Sequence, residues 1–227
     1  MRSMTRGVLA IGVSACVVSM IAAPAAARAA LHAPAGGGYV ATPKTVRSAT
    51  MLVRVPTLPC AHTARYAVST GLFGFVVQGS RQVPWSLAVA ASCARGVTSY
   101  RAVTSGPGGP AALLRVHPGD RVRLVQSGPY EYEVEDVTTG EGSGGGGGGP
   151  GATPSLRTTM LFGAKVTGTV PAAVHVTVSQ TRINGTPVRK ASHHAQRQSS
   201  NGRTVAYGRD LLETGGFTVA VPRTPVG

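Results

Sequence analysis

Apolar and polar positions alternate most cleanly between Leu113 and Gly140. Val122 and Leu124 interleave with Arg121 and Arg123, and Tyr130, Tyr132 and Val134 interleave with Glu131, Glu133 and Glu135. That is the period-two pattern of two half-buried strands. Gln126-Ser127-Gly128-Pro129 supplies turn material between them. A three-residue loop over Ser127 to Pro129 predicts a hairpin with Leu124 facing Tyr132 and Val122 facing Val134 on the buried side. Arg123 then faces Glu133 and Arg121 faces Glu135 on the other side, so hydrophobicity and charge select one register. His117-Pro118-Gly119-Asp120 turns the chain before this hairpin and Thr138-Thr139-Gly140 ends it.

Weaker patterns of the same kind predict strands at Met51 to Val55, Tyr66 to Val77, Trp85 to Ala91, Arg101 to Thr104, Thr158 to Lys165, His175 to Gln180 and Gly216 to Val221. The Ala-rich text of Leu87 to Ala91 also suits a helix. Residues 30–48, rich in Ala, Gly and Pro, read as a poorly ordered arm, with structure beginning near Ala49. Gly142 to Gly151 is almost pure glycine and reads as a flexible loop. The few strands beyond it are not enough for a second self-sufficient unit, so residues 49–227 form a single domain. Asn184-Gly185 is a turn, and polar Lys190 to Arg203 is expected as an exposed loop. Short strands, frequent turn signals and no convincing amphipathic helix predict an all-β, antiparallel sandwich.

The first residues bring in a compartment. Met1-Arg2 and Arg6 precede an apolar run from Gly7 to Ala23, and Ala27-Arg28-Ala29 follows. Residues 1–29 thus read as a secretory signal peptide, the mature protein as secreted, and no transmembrane segment is expected. Val13-Ser14-Ala15-Cys16 offers a second reading, lipid anchoring through Cys16. Loss of Arg2, Arg6 and Arg28 lowers the net charge from +14 to +11. Such an excess favours anionic partners, including cell-wall polymers. No aromatic and basic residues interleave as a nucleic-acid reader requires, and a monomer is expected. Cys60 and Cys93 are the cysteines left in the mature chain, and in an oxidising compartment they are expected to pair. No ligand-rich cluster accompanies them and His193-His194 sit in polar text, so neither a metal nor a cofactor is expected.

Several short motifs share an order with a known family. Pro59-Cys60, Gly71-Leu72-Phe73-Gly74, Cys93 through Ala102, Val116 through Val122, Asp136 through Gly140, Asn184-Gly185-Thr186-Pro187 and Gly216-Phe217-Thr218-Val219 resemble the glutamic peptidases, the eqolisin or scytalidopepsin-like family. The resemblance covers most of Met51 to Val221. It implies a concanavalin A-like two-sheet sandwich and a mechanism in which a glutamate activates water while a glutamine stabilises the oxyanion. The family's glutamate closes a Ser-Tyr-Tyr-Ala-Trp-Tyr-Glu type segment, and Ser105 stands at that position here, with Val103 and Thr104 replacing the aromatic pair. Gln82 lies at about the family's distance from Gly74 and is the candidate glutamine, although its spacing to Cys93 is longer than the family's. Phe73 replaces the aspartate of the Gly-Leu-Asp-Gly turn. A serine hydroxyl has no accessible anion to act as base at neutral pH. The expectation is a secreted, catalytically inactive relative retained to bind a peptide, a glycan or an anionic wall polymer. The alternative is an active acid-type endopeptidase using relocated carboxylates such as Glu131, Glu133 or Glu135.

Overall fold

The protein was analysed as a computed structural model that describes residues 36–41, 46–78, 81–106, 109–128, 131–146, 160–190, 193–200, 203–209 and 212–223. All of these lie in one compact unit, Ala33–Gly227. The expected signal segment and Cys16 lie outside the described residues.

The strands are β1 Gly36–Ala41, β2 Ala49–Arg54, β3 Arg65–Gln78, β4 Arg81–Ala94, β5 Val97–Ser105, β6 Ala111–Arg115, β7 Arg121–Gln126 and β8 Tyr132–Asp136. They continue as β9 Gly142–Gly145, β10 Met160–Gly168, β11 Val174–Ile183, β12 Thr186–Pro187, β13 His193–Ser200, β14 Arg203–Arg209 and β15 Phe217–Val221. Every pairing is antiparallel. One sheet runs β6-β5-β4-β3-β10-β1 and the other β14-β15-β11-β2-β7-β8-β9. Strand β13 belongs to both: His193 to Gln196 pair with β1, and Arg197 to Ser200 pair with β14. The fold is therefore the two-sheet β-sandwich that the alternation predicted.

The core lies between the sheets. Leu72, Leu87 and Phe162 of the first sheet and Met51, Val53 and Leu124 of the second are fully buried in one cluster. Along β4 the buried positions Trp85, Leu87, Val89, Ala91 and Cys93 fall at period two, so Leu87 to Ala91 is strand and not helix. The Tyr39 ring of β1 meets the Phe217 ring of β15 edge-on, with centroids 5.0 Å apart.

At one end of the sandwich the Pro56 to Cys60 segment is tied to the first sheet. Cys60 is disulfide-bonded to Cys93. Leu58 N donates to Tyr100 Oη at 3.1 Å, and Tyr66 Oη donates to the Pro59 carbonyl at 2.5 Å. Burial, with a smaller contribution from Tyr100, pushes the Tyr66 hydroxyl above its ordinary pKa. Among the described residues no helix is long and apolar enough to cross a membrane.

Four sequence expectations change. The β7–β8 hairpin pairs Leu124 with Val134 and Arg123 with Glu135, a shift of two residues from the register expected above. The two-residue step keeps every side chain on its expected face, which is why alternation alone could not detect it. It follows from a longer loop: Ser127 N donates to the Glu131 carbonyl, and buried Gln126 donates from Nε2 to the Gly128 carbonyl at 2.8 Å. The arm expected over residues 30–48 contains β1, whose backbone pairs on both edges and whose Tyr39 and Ala41 enter the core. The glycine stretch begins as β9, an edge strand whose backbone pairs with β8. The polar segment Lys190 to Arg203 holds β13, because each half of it pairs with a neighbouring strand, β1 or β14, which satisfies backbone groups independently of side-chain polarity.

The disulfide joins residues 33 apart, so replacing both Cys60 and Cys93 with alanine is expected to cost about 3 to 4 kcal/mol through the freed unfolded chain. Urea denaturation of the variant and the parent under oxidising conditions measures it.

Candidate functional site

The outward face of the first sheet is built in rows set by register. Gly38, Gly163, Gly71, Ala88 and Val103 lie opposite one another across β1, β10, β3, β4 and β5. On one side of this row run Val40, Leu161, Phe73, Ser86 and Ser105. On the other run Lys165, Ser69, Ala90, Arg101 and Arg115. The central row carries almost no side chain before Val103; this low line across the strands is termed the glycine trough, and its Gly38, Gly163, Gly71 and Ala88 are buried.

Glycine is required in this row. A Cβ on Gly71 would stand 2.1 Å from the Leu87 carbonyl oxygen, one on Gly163 2.1 Å from that of Gly37, and one on Gly38 2.1 Å from that of Phe162. The neighbouring backbones approach where only hydrogen fits.

The bare row lets groups from the two flanking rows meet. Lys165 Nζ sits 4.4 Å from the centre of the Phe73 ring, although Phe73 is paired with Leu161 and Lys165 with Ser69. Phe73, Ala88 and Leu161 form a small buried cluster of their own on this face, separate from the main core, with Val40 and Val103 packed against it. Burial lowers the Lys165 pKa from its ordinary 10.5. The ring face offsets part of that desolvation. None of β1, β3, β4, β5, β6, β10 or β13 contains an aspartate or glutamate, so no strand of this sheet offers Lys165 a carboxylate.

Ser105, at the end of β5, faces outward beside Ser86, with the two Oγ atoms 2.7 Å apart. Thr104 Oγ1 donates to the Ser86 carbonyl at 3.1 Å and fixes the strand end. Gln82 lies exposed on β4 opposite Val77. It is four residues from Ser86, about 13 Å at strand rise. The register thus brings Ser105 to Ser86 and not to Gln82. Glu133 and Glu135 lie on the outward face of the other sheet, where Glu135 accepts from Arg123 Nη1 at 2.5 Å. Sequence reasoning did not identify Ser86, Lys165 or the aligned glycines as members of one site. The spacing Ser69, Gly71, Phe73 on one strand face was visible, but the partners opposite it depend on pairing.

No family model matches this chain, and no curated protein matches it. Among solved structures, scytalido-glutamic peptidase bound to a peptide-based transition state analogue is similar with a TM-score of 0.60 and 13% identity, covering 85% of this chain and 99% of that one. SCP-B, a member of the eqolisin family of peptidases solved with the tripeptide Ala-Ile-His, is similar with a TM-score of 0.57 and 11% identity, again covering 85% of this chain and 99% of that one. At these identities the likeness establishes a shared fold: the chain has the concanavalin A-like sandwich of the glutamic peptidases.

Two outcomes test the trough. Gly71→Val must separate β3 from β4 and is expected to cost about 3 kcal/mol or more, as measured by thermal or urea unfolding, whereas Ser69→Ala beside it stays near the parent. In the parent, the unfolded chain holds the Lys165 proton more tightly than the folded chain between the lowered value and 10.5. Stability from this group therefore rises with pH across that window and is lower below it. Lys165→Met lacks this rise, so the stability of the variant relative to the parent falls as pH increases towards 10.5. Paired unfolding curves from neutral to alkaline pH measure the slope.

Proposed function

We propose that this chain is a secreted, catalytically inert protein that uses a glutamic-peptidase sandwich to hold extended peptides across the glycine trough. The observation that carries the reading is the chemistry of the outward face: paired serine hydroxyls, a lysine and two arginines, on a sheet whose strands contain no carboxylate. Activation of a water for attack on a peptide carbonyl needs a base within hydrogen-bond reach. The Ser86 and Ser105 hydroxyls are not bases at neutral pH. Ser105 occupies the position the family resemblance gives to the glutamate, and Gln82, the candidate glutamine, stands far along the strand from it.

Binding is the function such a face retains. Lys165 bridges the trough to the Phe73 ring, so a peptide would enter by displacing that ammonium, with Phe73 and Leu161 as its apolar wall. The similar structures hold a tripeptide and a peptide-based analogue, which supports a peptide as the ligand class. The N-terminal signal and the Cys60–Cys93 disulfide support an extracytoplasmic location.

The purified mature protein is expected to leave denatured casein intact from acid to neutral pH, and to bind fluorescent unstructured peptides in an anisotropy titration. Ala90→Tyr, which places a ring in the trough without entering the core, is expected to weaken that binding about tenfold. Cleavage that disappears on Gln82→Ala or Glu133→Gln would instead establish the relocated-carboxylate endopeptidase.

A further inference from the structure

The outward face of the second sheet contains an arrangement that the peptide trough does not use. Arg54 of β2 and Arg121 of β7 are direct cross-strand partners. Both are exposed, and among the described residues no carboxylate forms an ion pair with either side chain. Like charges directly opposite each other in a sheet destabilise it. The hairpin register creates the problem: the two-residue shift gives Glu135 to Arg123 and leaves Arg121 beside Val137, whose N–H donates to the Arg121 carbonyl.

These arginines border a cavity of about 300 Å³ lined by Leu52, Arg54, Gly119, Arg121, Thr177 and Ser179. Leu52 points outward from the core yet is buried, giving the cavity an apolar floor. Thr177 lies on β11 next to Val178, the partner of Val53 on β2, and adds a hydroxyl to the two guanidinium forks that line the cavity. A second depression of about 140 Å³ shares Leu52 and continues past Arg123 and Arg182. Its rim includes Gln180, held at φ 53° where β11 bulges between Ser179 and Arg182. Bulges of this kind redirect side chains next to binding sites.

We propose that this cavity binds a tetrahedral oxyanion, phosphate or sulfate, carried as an ester on a sugar. Facing guanidinium forks and a hydroxyl present donors from several directions. A phosphate monoester carries about −1.5 to −2 charge near neutrality and several acceptor oxygens, enough to answer both arginines. A sulfate ester carries one charge but the same three acceptor oxygens in a tetrahedral fan, whereas a single carboxylate offers one charge and only one plane of oxygens. Guanidinium forks match phosphate oxygens two at a time. The volume exceeds what the anion alone fills, and the Leu52 floor suits the C–H face of a sugar ring.

The test is calorimetric titration of the mature protein at physiological salt with glucose 6-phosphate, glucose 6-sulfate, inorganic phosphate, inorganic sulfate and glucose. Either ester is expected to bind, at least about tenfold more tightly than its free anion, with glucose alone silent. Arg54→Gln and Arg121→Gln should each weaken ester binding about tenfold or more. The double variant Arg65→Gln and Arg95→Gln, which removes two exposed charges at the end of the other sheet, should leave it unchanged. A readout independent of ligand is thermal unfolding: Arg54→Gln should melt higher than the parent without ligand, because the facing charges are relieved, and the ester should raise the melting temperature of the parent but not of the variant. Equal binding of ester and free anion would overturn the sugar ester in favour of the free ion. Equal loss in the Arg65 and Arg95 double variant would reduce the effect to net charge, and no binding by any probe, or a lower melting point for Arg54→Gln, would overturn the site.

Discussion

The close backbone approach at Gly38, Gly163 and Gly71 is the constraint on which the first sheet depends. Each glycine stands where a Cβ would collide with a neighbouring main-chain oxygen, so β1, β10 and β3, and then β4, nest at one level of the sheet. The residues next in sequence carry the opposite duty. Leu72 follows Gly71 and Phe162 precedes Gly163, and both are fully buried in the core. One sequence pattern thus fills the inside of the sandwich and empties a row on its outside. The Phe73 ring and the Lys165 ammonium then meet across the empty row, where ordinary side chains would have kept them apart.

Charge is divided between the sheets as sharply as volume is. The first sheet has no acidic residue in any of its strands, while the second carries Glu133, Glu135 and Asp136 on one strand. On the second sheet a carboxylate answers Arg123, but Arg54 and Arg121 face each other. On the first, Arg101 faces Arg115 in the same way. Exposed pairs of this kind individually shift stability by little, so the fold tolerates them. In the two proposals above, the Arg54–Arg121 pair meets an anion over the cavity, and the cations beside the glycine trough select among peptides.

Asp120 shows the contrast between a structural and an available carboxylate. It is buried and accepts from His117 N at 2.6 Å, closing the turn that leads into β7. Asp136 likewise accepts from Thr138 N at 2.9 Å at the far end of the hairpin. Both are committed to turn geometry. These two carboxylates close turns and Glu135 answers a strand-surface arginine, while no strand of the first sheet carries an acid.

The sequence by itself determined the class of fold and much of its order. Period-two alternation marked β7 and β8, β-branched and aromatic text marked β2, β3, β10 and β11, and the expected pairing of Cys60 with Cys93 is formed. It also carried a likeness to the glutamic peptidases that the solved structures share at the level of fold. Tertiary structure decided the rest, because the missing information was pairing. A hairpin shifted by two residues keeps the same faces, so alternation could not choose between Glu135 facing Arg121 and Glu135 facing Arg123. Strands β1, β9 and β13 lack a hydrophobic rhythm of their own and exist because neighbours satisfy their backbone groups. Ser86 beside Ser105, and Gly38 beside Gly163 beside Gly71, come from distant parts of the chain. Only the hydrogen-bond register of the assembled sheet puts them in line.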